Sequence, residues 1–94
     1  MSEKIYKYLL DFEFPNGGKT LLYVHDAIEK AINNHCEVDI QILGFLESIA
    51  EKYGKKAHSI YNALIKFIVK NEPKLKGYNL RRFIIISAVK VMEG

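Results

Sequence analysis

Phe45-Leu46-Glu47-Ser48-Ile49-Ala50-Glu51-Lys52-Tyr53-Gly54-Lys55-Lys56-Ala57-His58-Ser59-Ile60-Tyr61-Asn62-Ala63-Leu64 is the stretch on which the fold turns. Two apolar stripes of helical period meet at a glycine in it. Leu46, Ile49, Ala50 and Tyr53 precede Gly54, and Ile60, Ala63 and Leu64 follow it, continued by Phe67 and Ile68. Glycine enters the left-handed backbone region at little steric cost, so Gly54 is expected to stop the first helix. Ala50 beside Ile49 permits close approach of a second helix, and Ile60 and Leu64 dock it. The pattern predicts a helix-turn-helix over about residues 45–71, with residues 53–56 as the turn and the second helix starting near Ala57. A plain two-helix corner would carry the same pattern, so the motif alone leaves DNA binding open.

Working upstream, Asp39 is placed to cap the helix that contains Ile42, Leu43 and Leu46. Before it, Thr20 reads as the cap of a segment in which Leu21, Val24, Ile28, Ala31 and Ile32 trace one face up to Asn33-Asn34. A first helix is expected from Glu3 to Phe12, buried through Ile5, Tyr8, Leu9 and Phe12, with Pro15-Asn16-Gly17-Gly18 as a turn after it. Downstream, the helix from Ala57 should run to about Asn71, before Pro73. Lys74 to Tyr78 reads as a loop, and Asn79 caps a last helix from Leu80 to Met92. Its core, Phe83-Ile84-Ile85-Ile86-Ser87-Ala88-Val89, is β-branched enough for a buried strand. A strand needs a partner, and the one segment available, Ile5 to Phe14, has helical spacing. The expected class is therefore all-α: five to six helices in one compact domain over residues 1–94.

Composition agrees, with 49% hydrophobic and 27% charged residues in 94, the balance of an ordinary globular domain and far from that of a disordered chain. The apolar run from Phe83 to Val89 is much shorter than the roughly 20 residues that cross a bilayer, so no membrane partner is expected. Met1-Ser2-Glu3-Lys4 lacks the basic and apolar regions of a secretory signal. With one cysteine, Cys36, that points to the reducing cytoplasm.

Charge is distributed unevenly. Residues 1–50 hold four Lys against eight Asp or Glu, net −4, whereas residues 51–82 hold nine Lys or Arg against Glu51 and Glu72, net +7. A positive surface of this kind attracts phosphates, although a basic solvated face has the same composition. With Ile60 at the middle of the buried side, the 3.6-residue period puts His58, Ser59, Asn62, Ile65, Lys66 and Val69 on the opposite side. Asn62 suits bidentate pairing with adenine, Lys66 a guanine or a phosphate, and Ile65 a thymine methyl. Lys55 and Lys56 at the helix start suit phosphates, as do Arg81 and Arg82. For each lysine a solvated charge is the simpler reading. For Ile65 and Val69 it is burial against another element or a second subunit.

These residues carry a resemblance. Leu21-Leu22-Tyr23-Val24-His25-Asp26-Ala27-Ile28 is similar to the aromatic-Leu-Tyr-Leu-Arg-Glu-Ala-Ile run of the C-terminal DNA-binding domain of the response regulator that initiates sporulation in endospore-forming bacteria. Sixteen residues on, Phe45 to Tyr53 resembles that family's Leu-Tyr-Pro-Asp-Ile-Ala-Lys-Lys-Phe. The similarity continues through Ala57, Ile60 and Ala63-Leu64, and back through Pro15 to Ile5. Asn79 to Val91 looks like the family's final helix, after a shorter loop. The resemblance implies a helical effector domain that binds double-stranded DNA as a transcription regulator, here without the receiver domain that normally precedes it. Where the family has arginines and a glutamate on its reading helix, this chain has Ser59, Tyr61, Asn62 and Ile65, and Lys66 stands for a histidine. The fold therefore carries over more readily than the target sequence.

No enzymatic arrangement is expected: His25, His35 and Cys36 lack metal-ligand spacing with further partners, and no nucleophile-base pattern occurs. Asn16-Gly17-Gly18-Lys19-Thr20 lacks the spacing of a phosphate loop and reads as a turn. Asp11 and Glu13, two apart, do not share a helix face. No cofactor or metal is anticipated. A homodimer is, through Ile85, Ile86 and Val89, which extend the last helix's apolar surface beyond one core face. The rival reading is a protein-interaction module of the same fold, which has lost its base-reading arginines and offers Ile65, Val69 and Tyr61 to a partner protein.

Overall fold

Residues 2–15 and 18–94 are described by the computed structural model. Among them are five α-helices and no strand: α1 (Glu3–Leu9), α2 (Gly18–Asn33), α3 (Ile42–Lys52), α4 (Ala57–Lys70) and α5 (Leu80–Glu93). The all-α expectation holds, and the β-branched run 83–89 is helical. A single face of α5, formed by Leu80, Phe83, Ile84, Ser87, Ala88 and Val91, enters the core. The Ser87 hydroxyl, fully buried, is satisfied at 2.9 Å by the Tyr8 hydroxyl of α1. No helix is long and apolar enough to cross a membrane.

The helix at the centre is α2, which touches each of the other four. A surface helix buries one stripe. In α2 six consecutive residues, Tyr23 to Ile28, are buried because neighbours cover it on several sides. The expected single face of Leu21, Val24, Ile28, Ala31 and Ile32 is thus too narrow. Thr20 is not an N-cap either: α2 begins at Gly18, and Thr20 lies in its first turn, 1% exposed. Asn16 and Gly17 of the expected turn, and Met1 of the N-terminal segment, lie outside the described residues.

The first helix ends at Leu9, three residues before the expected Phe12. Tertiary contacts outweigh helix continuation here. Phe14 stacks on Phe67 at 4.9 Å between ring centroids, and Phe12 meets both Phe67 and Phe83 within 6 Å. Asn71, buried just past α4, holds both backbone groups of Glu13: its Oδ1 accepts the Glu13 N–H at 2.8 Å and its Nδ2 donates to the Glu13 carbonyl at 2.8 Å. A helix through Phe12 would take the Glu13 N–H for its own last turn, in competition with Asn71.

Asp39 is not the cap of α3. Gln41 occupies that position, and Asp39 Oδ1 instead accepts the Gln41 N–H at 2.9 Å in an Asx-turn. Phe45, outside the expected stripe, is buried with Leu46, Ile49 and Ala50. Asn79 does cap α5, accepting the Arg82 N–H at 2.8 Å.

The junction of α3 and α4 follows the sequence closely. Gly54 has φ +63°; its N–H bonds the Glu51 carbonyl at 3.2 Å, and the Lys55 N–H reaches back to the Ala50 carbonyl at 2.9 Å. This pair of bonds is a Schellman stop with glycine in the left-handed position. A β-carbon at Gly54 would meet nothing within 4 Å, so substitution costs backbone strain alone. Gly54→Ala is expected to lower stability by about 1 kcal/mol, read as a urea midpoint shift at unchanged m-value. An unchanged midpoint would refute the strain.

Candidate nucleic-acid interface

The four-residue connection delivers α4 packed against α3, with Ile60, Leu64, Phe67 and Ile68 facing inward. Its other side is open. His58, Ser59, Asn62 and Lys66 are all exposed, and Lys55 and Lys56 are exposed at its start. The four helix residues sit where the period placed them, and the two lysines lie at the helix start as expected. Ile65 is half-buried and Val69 is 60% exposed. No acidic residue occurs between Glu51 and Glu72, so α4 presents a neutral-to-cationic surface. Lys56 is the N-cap residue, with no side-chain cap and no acid in the first turn. The positive end of the helix dipole thus faces outward beside two ammonium groups.

A buried polar network that the sequence reading missed holds the end of α3. Asp26, on α2, accepts hydrogen bonds from His25 Nδ1 at 2.8 Å, from Lys52 Nζ at 3.0 Å and from the Tyr53 hydroxyl. The His25 Nε2 accepts the Ser2 backbone N–H at 2.7 Å. That bond requires Nε2 to be unprotonated, which assigns the ring proton to Nδ1, pointing at Asp26. Burial by itself would push the Asp26 carboxyl up, but the bonds from Tyr53, His25 and Lys52 outweigh it and leave it below its ordinary 3.8. Burial and the bond to Asp26 push the Tyr53 hydroxyl above 10.0, and the bond to Asp26 raises Lys52 above 10.5. Asp26 thereby ties α2 to the last residues before Gly54, and so to the orientation of α4.

His25, Asp26 and Glu29 have ligand atoms within 4.8 Å of one another. Both ring nitrogens of His25 and both Asp26 oxygens are already engaged, and the Lys52 ammonium is the cation that Asp26 binds. A local signal existed in the adjacent His25-Asp26 pair inside an apolar run, but its partner Tyr53 lies 27 positions away.

The cations of the basic half do not act as one group. Lys52 belongs to Asp26, and Lys74 Nζ donates to the Asp11 carbonyl at 2.6 Å. Arg81 Nε donates to the Val38 carbonyl at 2.9 Å, ahead of α3, and the Arg82 guanidinium lies over the Tyr78 ring at 5.8 Å. Arg81 and Arg82 are exposed on α5 rather than on the α4 surface. Among the described residues, Lys55, Lys56 and Lys66 form no salt bridge. Further along α4, Pro15, Ile65 and Val69 with Lys66 and Lys70 line an open groove of about 330 Å³. Of the expected dimer residues, Ile85 and Ile86 are half-buried and Val89 is 40% exposed.

No protein-family model, curated protein or solved structure matches the chain.

Proposed function

We propose that residues 45–71 form a helix-turn-helix and that the chain binds double-stranded DNA as a small transcription regulator, with α4 as the helix that enters the major groove. The observation that carries this reading is the outer side of α4, where His58, Ser59, Asn62 and Lys66 stand exposed on a helix with no acidic residue. Asn62 has the donor-acceptor pair that adenine accepts bidentately, and Lys66 reaches guanine or phosphate. Lys55, Lys56 and the N-terminal N–H groups of α4 suit a backbone phosphate. The resemblance to the sporulation regulator's effector domain supports the same assignment, on the residues quoted above alone.

The test is binding of the whole chain to duplex DNA across a salt series. Affinity should fall linearly in log–log form, since each phosphate contact releases condensed counterions. The variant Lys55→Ala/Lys56→Ala should reduce the slope by about 2, at roughly 0.9 per contact. Lys66→Ala should weaken binding further. No binding at low salt would end this reading.

One observation favours a second reading, a protein-interaction module. Val69 and half-buried Ile65 line the apolar groove beside Pro15, and Tyr61 is half-buried on the same helix. Val69→Lys separates the two: under the first reading the added cation leaves DNA affinity equal or higher, whereas under the second it abolishes capture of a protein partner.

A further inference from the structure

Opposite the core face of α5 runs a second stripe. Arg82, Ile86, Val89 and Glu93 are spaced 4, 3 and 4 residues apart, so they line one side of the helix within about 60° of arc, at 100° per residue. Met92 beside them is 60% exposed and Val89 is 40% exposed. The stripe therefore has an apolar middle with a cation at one end and an anion at the other. Among the described residues neither Arg82 nor Glu93 has a salt-bridge partner. They cannot pair with each other, because 11 residues of helix separate them by about 16 Å.

We propose that this face binds a second copy of the chain, with the two α5 helices antiparallel about a two-fold axis between Ser87 and Ala88. That register sets Arg82 of each copy against Glu93 of the other and Ile86 against Val89, so one operation satisfies both charged ends and covers the apolar middle. A parallel pairing would set arginine on arginine and glutamate on glutamate. The two-fold arrangement is the one in which a surface is complementary to itself. A single helix pair falls below the roughly 1,200 Å² of stable interfaces, so association is reversible and concentration-dependent, and the end charges set its orientation. The inference does not rest on the DNA reading, and it assigns Arg82 to the partner copy rather than to a phosphate.

Sedimentation equilibrium of the whole chain without DNA, from micromolar to millimolar concentration, tests it. Wild type should show a monomer–dimer equilibrium. Arg82→Glu and Glu93→Arg should each weaken the dimer at least about tenfold, since two attractive pairs become two repulsive ones. The combined variant should return to within about threefold of wild type, because the pairs are restored with exchanged signs. Both substitutions lie at exposed positions, and helical circular dichroism verifies that each of the three variants is folded. Monomer at every concentration overturns the proposal. So does a dimer insensitive to the single reversals, or a combined variant as weak as the singles. DNA affinity of the same variants is measured separately, so either idea can fail alone.

Discussion

Phe67→Ala should remove about 4 kcal/mol of folding stability, as truncation of a buried aromatic does when its surroundings relax only partly. Phe67 is fully buried, and its ring meets Phe12, Phe14 and Phe83 with centroids 5.7, 4.9 and 5.4 Å away. Those three rings come from the segment after α1 and from α5, so one side chain joins three parts of the chain. No single neighbour can fill the void, because each is held by its own contacts. A domain of this size has roughly 5–15 kcal/mol in total, so the variant would keep only part of it. Urea denaturation followed by circular dichroism measures the effect. A loss below about 1 kcal/mol would mean that the aromatic cluster collapses freely, contrary to interior packing. Segment 10–15 should also loosen first, detectable as faster amide exchange at Glu13, whose N–H is held by Asn71 Oδ1.

Asp26→Asn should cost about 2 kcal/mol near neutral pH, despite nearly identical shape. All three polar neighbours of the carboxylate, His25 Nδ1–H, Lys52 Nζ and the Tyr53 hydroxyl, donate. An amide offers one accepting oxygen, and its NH₂ group must face a donor. The melting temperature should fall by roughly 10 °C, at 4–8 °C per kcal/mol for a domain of this size.

The dependence on pH follows from the directions of the shifts. Asp26 titrates below its ordinary 3.8 in the folded chain. Its contribution is therefore present above 3.8 and lost as pH falls through the lower folded value. Tyr53 and Lys52 titrate above 10.0 and 10.5 when folded. Their contributions are present below those values and lost as pH rises through the raised ones. The difference between wild type and Asp26→Asn should be largest on the plateau between these limits and shrink at both edges. Unfolding free energies at acid, neutral and alkaline pH measure it. A constant difference across the range would show that the Asp26 charge plays no part.

What the chain determined by itself is whatever depends on neighbours three or four residues apart. Gly54 stops α3 because only its backbone conformation meets the bonds to Glu51 and Ala50. Asn79 caps α5 with a bond three residues on. The 3.6-residue period alone placed Ile60, Leu64 and Phe67 inside and His58, Ser59, Asn62 and Lys66 outside. Only the tertiary structure decided where α1 ends, which cations are already engaged, and that Asp26 is a buried anchor. The Asp26 anchor and the end of α1 rest on bonds between residues 27 and 58 positions apart, Tyr53 with Asp26 and Asn71 with Glu13, and Lys52 and Lys74 are engaged across 26 and 63 positions. A short polar side chain has the same local preferences buried or exposed, so its role depends on the donors or acceptors that folding brings to it. Burial of an ionised group is tolerated where such partners converge.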